Sequence, residues 1–147
     1  MSGHDLTTPV AQRVVNSFNR QGMMQHLDAR LVRADVGEVE IALPYGDKVT
    51  QQQGGFHGGA MGALADIAGG YAALTVCPEG MEVTTVEYKI NFLSAHQQGE
   101  LRAVGKVVKS GRRIVVTTAE VFHLDADGKQ TLCAVMQQTL VPVAQTY

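Results

Sequence analysis

A single acidic residue stands in the most apolar stretch of this sequence. The stretch runs from Gly58 to Val76, and Asp66 is its one charged side chain. An unpaired carboxylate is costly to bury, so Asp66 should have hydrogen-bond partners or take up a proton. Two interpretations meet this requirement: a structural carboxylate held by backbone or hydroxyl groups, and a general base or nucleophile in a site that largely excludes water.

A glycine-rich loop, Gly-Gly-Phe-His-Gly-Gly at residues 54–59, leads into this stretch. Such a loop leaves several backbone N–H groups free where the helix begins. Together with the helix dipole, these groups can hold a developing oxyanion. His57 followed by two glycines is a weak motif alone, but an acid nine residues later makes the combination more specific.

The spacing of His57 and Asp66 predicts a site shared by two copies of the chain. If a helix begins at His57, nine residues at about 100° each place the two side chains on opposite faces. A single copy of the chain could then hardly direct both side chains at the same substrate atom. A dimer solves this by taking Asp66 from one helix and the loop N–H groups from another. We favour a structural role for the imidazole of His57, which would bond to backbone and fix the loop.

The elements that position these residues follow from hydrophobic periodicity and turn signals. Thr7 or Thr8 is expected to cap a first helix, which starts near Pro9 and stops at Gly22. The further predicted elements are two strands within 29–43 around a turn at 35–37, a loop at 44–56, a buried helix from 58 to about 76, and strands around 85–92, 101–109, 112–124 and 131–143.

Tight turns at Ser110-Gly111 and Asp127-Gly128 join the late strands, which makes the predicted sheet largely antiparallel. In the strand near 85–92, alternation predicts two faces. They are Val86, Tyr88, Ile90 and Phe92 on one side, and Thr85, Glu87, Lys89 and Asn91 on the other. The apolar helix lacks a polar face, so a curved sheet should wrap around it. Residues 1–147 are expected to form one α+β domain.

Composition narrows the classes of function. A net charge of -2 and a pI of about 6.2 give no sign of nucleic-acid or membrane binding. The apolar helix approaches membrane-spanning length, but its glycines and Asp66 favour burial inside a protein. The five histidines lack metal-ligand spacing, and Gly-x-Ser-x-Gly is absent. Cys77 and Cys133 are expected to be buried thiols, and the N-terminal residues lack a secretory pattern, which predicts a cytoplasmic protein.

Several segments together resemble the hotdog-fold thioesterases, specifically the phenylacetate-pathway and 4-hydroxybenzoyl-CoA thioesterase-like branch. The resemblance covers about Gly22 to Val143. The segments that carry it are His57-Gly58-Gly59 through Leu64-Ala65-Asp66-Ile67-Ala68, Thr85 through Leu93, Gly99-Glu100, and Lys109-Ser110-Gly111-Arg112-Arg113. It implies a curved antiparallel sheet around a central helix, homodimers with the active site at the subunit interface, and dimers that commonly pair into homotetramers.

The resemblance also implies roles for site residues. Asp66 matches the catalytic acid of the central helix, which either activates water or attacks the carbonyl to form an anhydride. The backbone N–H of Gly58, next to His57, matches the group that polarises the thioester carbonyl, and Gln51 matches a polar side chain that assists there. Thr85 falls about where some members use a hydroxyl to position water.

The alignment with the family stays open at one position, and at another position this sequence departs from the family. Thr84 competes with Thr85 for the water-positioning place, because the alignment can shift by one residue. Gly70 stands where some relatives carry a hydroxyl. The implied reaction is acyl-CoA plus water giving acid plus CoA, with no cofactor beyond the CoA of the substrate. Its phosphates are expected to meet cations at Lys109, Arg112 and Arg113.

Two other functions remain as alternatives. A hotdog hydratase or dehydratase would act by proton transfer at carbon, and it usually pairs a histidine with an acid at a spacing that His57 and Asp66 do not have. A non-catalytic acyl-CoA-binding protein would have no need of Asp66. Substitution of Asp66 discriminates, because a binding protein keeps its ligand affinity and has no activity to lose.

Overall fold

Three helices have very different lengths and surroundings. The computed structural model of the chain describes residues 4–147, in which α1 spans Pro9–Phe18, α2 spans Gly22–His26 and α3 spans Gly58–Leu74. Thr8 caps α1 by accepting a hydrogen bond from the N–H of Ala11 at 3.2 Å. The predicted first helix was too long, and Gly22 begins α2 rather than ending α1. The chain turns between them because the N–H of Gln21 bonds to the carbonyl of Phe18.

Six strands form one sheet in which every neighbouring pair is antiparallel, as the tight turns predicted. Their order across the sheet is β1-β2-β4-β5-β6-β3. The strands are β1 (Arg30–Asp35), β2 (Glu38–Pro44), β3 (Met81–Phe92), β4 (Glu100–Ser110), β5 (Val115–Leu124) and β6 (Gln130–Ala144). The loop between β2 and α3 contains a short 3-10 turn at Asp47–Val49.

The sheet curves around α3, and its backbone packs directly against that helix. A Cβ placed on Gly105 of β4 would lie 2.3 Å from the carbonyl carbon and oxygen of Ala68. Glycine at 105 therefore allows an approach that any side chain would prevent. Buried alanines at positions 65, 68 and 72 serve the same close packing from the helix side. This contact fixes α3, and so Asp66, relative to β4, β5 and β6.

A β-bulge in β3 corrects the predicted division of that strand into two faces. The register with β6 shifts between Thr85 and Glu87, so Val86 is an extra residue. Before the bulge Thr85 faces α3, and after it Tyr88 and Phe92 do. Simple alternation put Thr85 opposite Tyr88, which was wrong because one inserted residue exchanges the faces.

Both cysteines are buried and unbonded to each other, as expected. Within residues 4–147, no helix is long and apolar enough to cross a membrane.

Candidate active site

Asp66 projects from the middle of α3, and two neighbouring strands donate hydrogen bonds to it. The hydroxyl of Thr85 on β3 donates to Asp66 Oδ1 at 2.7 Å. The amide of Gln138 on β6 donates to the same oxygen, also at 2.7 Å. The second oxygen, Oδ2, makes no hydrogen bond with residues 4–147. The carboxylate is thus held through one oxygen, and its other oxygen remains available as a hydrogen-bond acceptor.

Gln138 was not anticipated from the sequence. Its side chain is fully buried, and its Oε1 accepts a hydrogen bond from the equally buried Thr117 at 2.9 Å. It also lies 3.3 Å from the hydroxyl of Thr85. Thr117, Gln138, Thr85 and Asp66 therefore form one connected polar network.

Asp66 and Thr85 line a cleft of about 150 Å³. Thr84 is exposed on the other side of β3, so of the two threonines it is Thr85 that meets Asp66. Gly70 also lines this cleft. The hydroxyl that the resemblance expects at this position in some relatives would have added a polar group to the cleft wall.

The end of α1 covers the cleft with a second polar cluster. Gln21 Nε2 donates to the Tyr71 hydroxyl at 2.8 Å, and Ser17 Oγ lies 3.1 Å from that hydroxyl. Ser17 also donates to Glu82 at 3.0 Å, so the Tyr71 hydroxyl must be the donor to Ser17. Burial raises the pKa of Tyr71, which keeps it a neutral phenol. The cleft is therefore walled by hydrogen-bonding groups as well as by apolar side chains.

The N-terminus of α3 presents the free N–H that the sequence predicted. The carbonyl of His57 accepts from both Ala60 and Met61 at 3.0 Å, and the N–H of Gly59 is taken by His57 Nδ1 at 2.7 Å. Among residues 4–147, no acceptor engages the N–H of Gly58. That N–H points out of a helix end, where the dipole favours negative charge.

Gln51 and Gly58 line a second cleft, of about 390 Å³. Apart from Ser94, its other walls are apolar and include Phe56, Met61 and Phe92. The side-chain oxygen of Gln51 accepts a hydrogen bond from the backbone N–H of Gln53, which orients the side-chain amide of Gln51. The structure thus brings Gln51 and Gly58 together, as the proposed carbonyl-binding group requires.

The two clefts are separate in one copy of the chain. Gly58 and Asp66 are eight residues apart on α3, which is roughly 12 Å along a helix axis. The helix begins directly after His57, the condition under which the sequence predicted a divided site. One copy therefore holds the acid in one place and the free N–H of Gly58 in another.

The imidazole of His57 acts as the N-cap of α3 through its bond with Gly59. Its side chain is exposed and lines neither cleft. This is the structural role favoured from the sequence, and a direct part for the imidazole in chemistry stays a prediction.

Lys109, Arg112 and Arg113 flank the turn of the β4–β5 hairpin and are exposed to solvent. Within residues 4–147 none of them forms an ion pair. The hairpin lies at the Asp66 end of the sheet, because Val115 pairs with Leu140 and Leu140 pairs with Thr85. Val115, two residues after Arg113, is therefore two strands away from Thr85, at roughly 10 Å between backbones.

No group of three or more His, Cys, Asp or Glu side chains that could hold a metal ion occurs in residues 4–147. The groups at Asp66 are instead a hydroxyl and an amide, which donate hydrogen bonds to its carboxylate.

Comparison with known proteins identifies the family. The family model of the thioesterase superfamily matches residues 53–128, which include the glycine-rich loop, α3 and β3. A protein of Saccharolobus solfataricus, whose name places it among esterases, is 36% identical over 107 residues, covering 73% of this chain and 74% of its own. The 1,4-dihydroxy-2-naphthoyl-CoA hydrolase of Escherichia coli is 29% identical over 125 residues, covering 84% of this chain and 88% of its own.

The crystal structure of a thioesterase family protein from Silicibacter pomeroyi superposes with a TM-score of 0.88 at 38% identity. The superposition covers 92% of this chain and 99% of the Silicibacter pomeroyi chain. The curved antiparallel sheet around α3 is thus the hotdog fold that the sequence predicted. The chain belongs to the thioesterase superfamily and is a thioester hydrolase.

Proposed function

We propose that the protein hydrolyses acyl-CoA thioesters at a site shared by two copies of the chain, with Asp66 as the reacting carboxylate. The observation that carries this proposal is the arrangement of Asp66, which lines a cleft and whose Oδ1 receives two hydrogen bonds while Oδ2 has no hydrogen-bond partner among residues 4–147. A half-buried carboxylate with one oxygen free of hydrogen bonds can remove a proton from water or attack a carbonyl.

Two routes use this oxygen. In the first, Asp66 Oδ2 takes a proton from water while the water oxygen bonds to the thioester carbon and CoA leaves as thiolate. In the second, Oδ2 itself bonds to the carbon, CoA leaves, and water then cleaves the resulting anhydride. The hydroxyl of Thr85 suits either route, because it already bonds to the carboxylate.

The free N–H of Gly58 supports the second half of the site. In both routes negative charge develops on the carbonyl oxygen, and an N–H at a helix N-terminus stabilises it. Gln51, in the same cleft, supplies a side-chain amide for the same oxygen. These groups contribute only if the partner helix places them over Asp66.

A second copy of the chain has a surface to dock on. β3 is an edge strand, and its exposed apolar side chains Val86, Tyr88 and Phe92 are 60%, 44% and 52% exposed. A long apolar edge is a template for pairing with another strand. We infer that two β3 edges pair about a twofold axis, which is how most homodimers assemble.

The open face of α3 runs beside that edge. It consists of incompletely buried residues at helical spacing: Gly59, Ala63, Asp66, Ile67 and Gly70. Small side chains along this face let a second helix approach closely. An antiparallel partner helix would bring its Gly58 end towards Asp66. Pairing of such dimers into tetramers stays a prediction of the resemblance, and a cytoplasmic location stays a prediction from the N-terminal residues.

The cations of the β4–β5 hairpin support CoA as the leaving group. Lys109, Arg112 and Arg113 are exposed, unpaired within the described chain, and near the Asp66 end of the sheet. We infer that they meet the phosphates of CoA, for which arginine is well suited.

The test is hydrolysis of an acyl-CoA panel (phenylacetyl, benzoyl and aliphatic chains), followed through the free CoA thiol. Wild type and Asp66→Asn are compared after both are shown to be folded. The proposal expects cleavage of several thioesters and loss of most of the rate in Asp66→Asn. A wild type that binds but cleaves none of them, or a fully active Asp66→Asn variant, would refute it. An N-acetylcysteamine thioester in the panel lacks the phosphates and should show a higher KM.

A further inference from the structure

Gln138 is a buried amide whose polar atoms are all used beside Asp66. It lies in the middle of β6, between β5 and β3, and is fully shielded from solvent. Its Nε2 donates to Asp66 Oδ1 at 2.7 Å and lies 3.3 Å from Thr85 Oγ1, and its Oε1 accepts from Thr117 at 2.9 Å. A buried glutamine is uncommon, and it is stable there only because these bonds are made.

These bonds fix the amide in one orientation. A carboxylate can only accept hydrogen bonds, so Nε2 must face Asp66 and Oε1 must face away from it. Thr117 holds the far end of the amide by donating to Oε1. Thr117 does not line the Asp66 cleft, so any influence it has on the reaction passes through Gln138.

The helix leaves room for this amide at one position. A Cβ added to Gly69 would lie 1.8 Å from Gln138 Oε1 and 2.7 Å from Thr117 Oγ1. Any larger residue at 69 would therefore displace the amide from its place between the sheet and α3. Glycine at position 69 thus leaves the space that the buried side chain of Gln138 occupies.

The carboxylate of Asp66 would otherwise turn easily. The terminal torsion of an aspartate is broad and nearly twofold, so either oxygen can face the cleft. Two donors on Oδ1, one from β3 and one from β6, remove that freedom. Thr85 shares the cleft with the substrate, whereas Gln138 lies entirely behind it.

We propose that Gln138 is a positioning residue for the hydrolysis: anchored by Thr117, it holds Oδ1 of Asp66 and so keeps Oδ2 turned to the substrate. This inference rests on the proposed function of Asp66. It assigns a part in the reaction to two buried side chains that do not touch the substrate.

The first test replaces Gln138 by methionine, which has a similar length and no polar atoms. In protein shown to be folded by circular dichroism and thermal melting, kcat should fall on the order of 10²-fold while KM stays near the wild-type value. A purely structural role would instead lower the melting temperature and leave kcat unchanged. In an Asp66→Asn background the same replacement should not reduce the residual rate further, because no carboxylate is left to position.

A second pair of variants keeps the test decisive if Gln138→Met does not fold. Thr117→Val preserves the shape of the side chain and removes its hydroxyl, and Thr117→Ser preserves the hydroxyl. We expect Thr117→Val to lower kcat and Thr117→Ser to retain it. Equal kcat values for the two variants would overturn the inference.

The outcomes separate this inference from the function on which it rests. If Asp66→Asn is fully active, the proposed function fails and the role of Gln138 fails with it. If Asp66→Asn loses its activity while Gln138→Met and Thr117→Val keep the wild-type kcat, Asp66 stands as the reacting group and only the positioning role is overturned.

Discussion

Gly58 and Asp66 stand on one helix but line two different clefts. The N–H of Gly58 points out of the N-terminus of α3, and Asp66 lies two helical turns further along. The hydrolysis of a thioester needs both a hydrogen-bond donor to the oxyanion and a base or nucleophile around one carbonyl. The proposal that a second copy of the chain completes the site rests on this separation of the two groups.

Replacing Gly58 by proline removes the N–H without disturbing the start of the helix. Proline is well tolerated at the first helical position, and His57 has the extended backbone (ψ 135°) that a following proline requires. We expect Gly58→Pro to lower kcat on the order of 10²- to 10³-fold.

Gly58→Ala is the matched control, because its Cβ meets the same Phe92 ring at 3.2 Å and its N–H is retained. It should keep most of the activity. Equal rates for the two variants in the acyl-CoA assay would show that this N–H does not act in the reaction.

Thr85 and Thr84 are adjacent but face opposite ways, which gives a clean comparison. Thr85→Val removes one of two hydrogen bonds to Asp66 Oδ1 and should lower kcat about tenfold, the equivalent of one bond to a charged group. Thr84→Val alters an exposed side chain and should leave kcat unchanged. Steady-state kinetics measure both, and a larger loss in Thr84→Val would contradict the orientation of β3.

Gly69 and Gly70 are neighbours in α3 with opposite tolerance for a methyl group. At Gly69 the added Cβ collides with Gln138 and Thr117, whereas at Gly70 its nearest neighbour is Leu140 at 3.7 Å. Gly69→Ala should destabilise the protein by about 1–3 kcal/mol through overpacking. Gly70→Ala should be neutral or gain up to about 1 kcal/mol from helix propensity.

Urea unfolding measures both free energies. If Gly69→Ala proves as stable as Gly70→Ala, the close packing of the amide against α3 is wrong.

Cys133 should make the protein sensitive to alkali. It is fully buried, and burial raises its pKa from 9.0 to about 11. The folded state keeps the thiol neutral while the unfolded chain ionises it. The stabilisation is therefore complete below pH 9.0 and is lost as pH rises towards about 11, with a slope of about 1.4 kcal/mol per pH unit.

Unfolding free energies of wild type and Cys133→Ala, measured across this window, isolate the effect, since all other titrating groups are shared. The advantage of the wild type should shrink with rising pH. A constant difference between the two proteins would contradict the raised pKa.

The sequence predicted those parts of the fold and site that local pattern controls. The apolar stretch with one carboxylate predicted α3 and Asp66, and the Ser110-Gly111 and Asp127-Gly128 turns predicted the antiparallel hairpins, all of which the structure contains. The start of α3 directly after His57 follows from the glycine-rich loop. These features depend on residues that are close in sequence, and hydrophobic periodicity and turn residues predict such features well.

Gln138 was missed because its role depends on long-range packing. It stands beside Gln137, and nothing local distinguishes the buried glutamine from the exposed one. The bulge at Val86 was missed for a related reason, since an extra residue shows only in the pairing with β6. Gly69 offered a signal, but it stands among many small residues in α3, and its partners lie far away in sequence.

The most direct test of a site shared between copies is complementation between two inactive variants. Asp66→Asn and Gly58→Pro chains, each with a different affinity tag, are co-expressed, and mixed dimers are isolated through both tags. Each mixed dimer has one site with an intact Asp66 and an intact Gly58 N–H, and one site with neither. We predict about half of the wild-type activity in the mixed dimers, although both parents are inactive. Mixed dimers no more active than the parents would show that each copy acts alone.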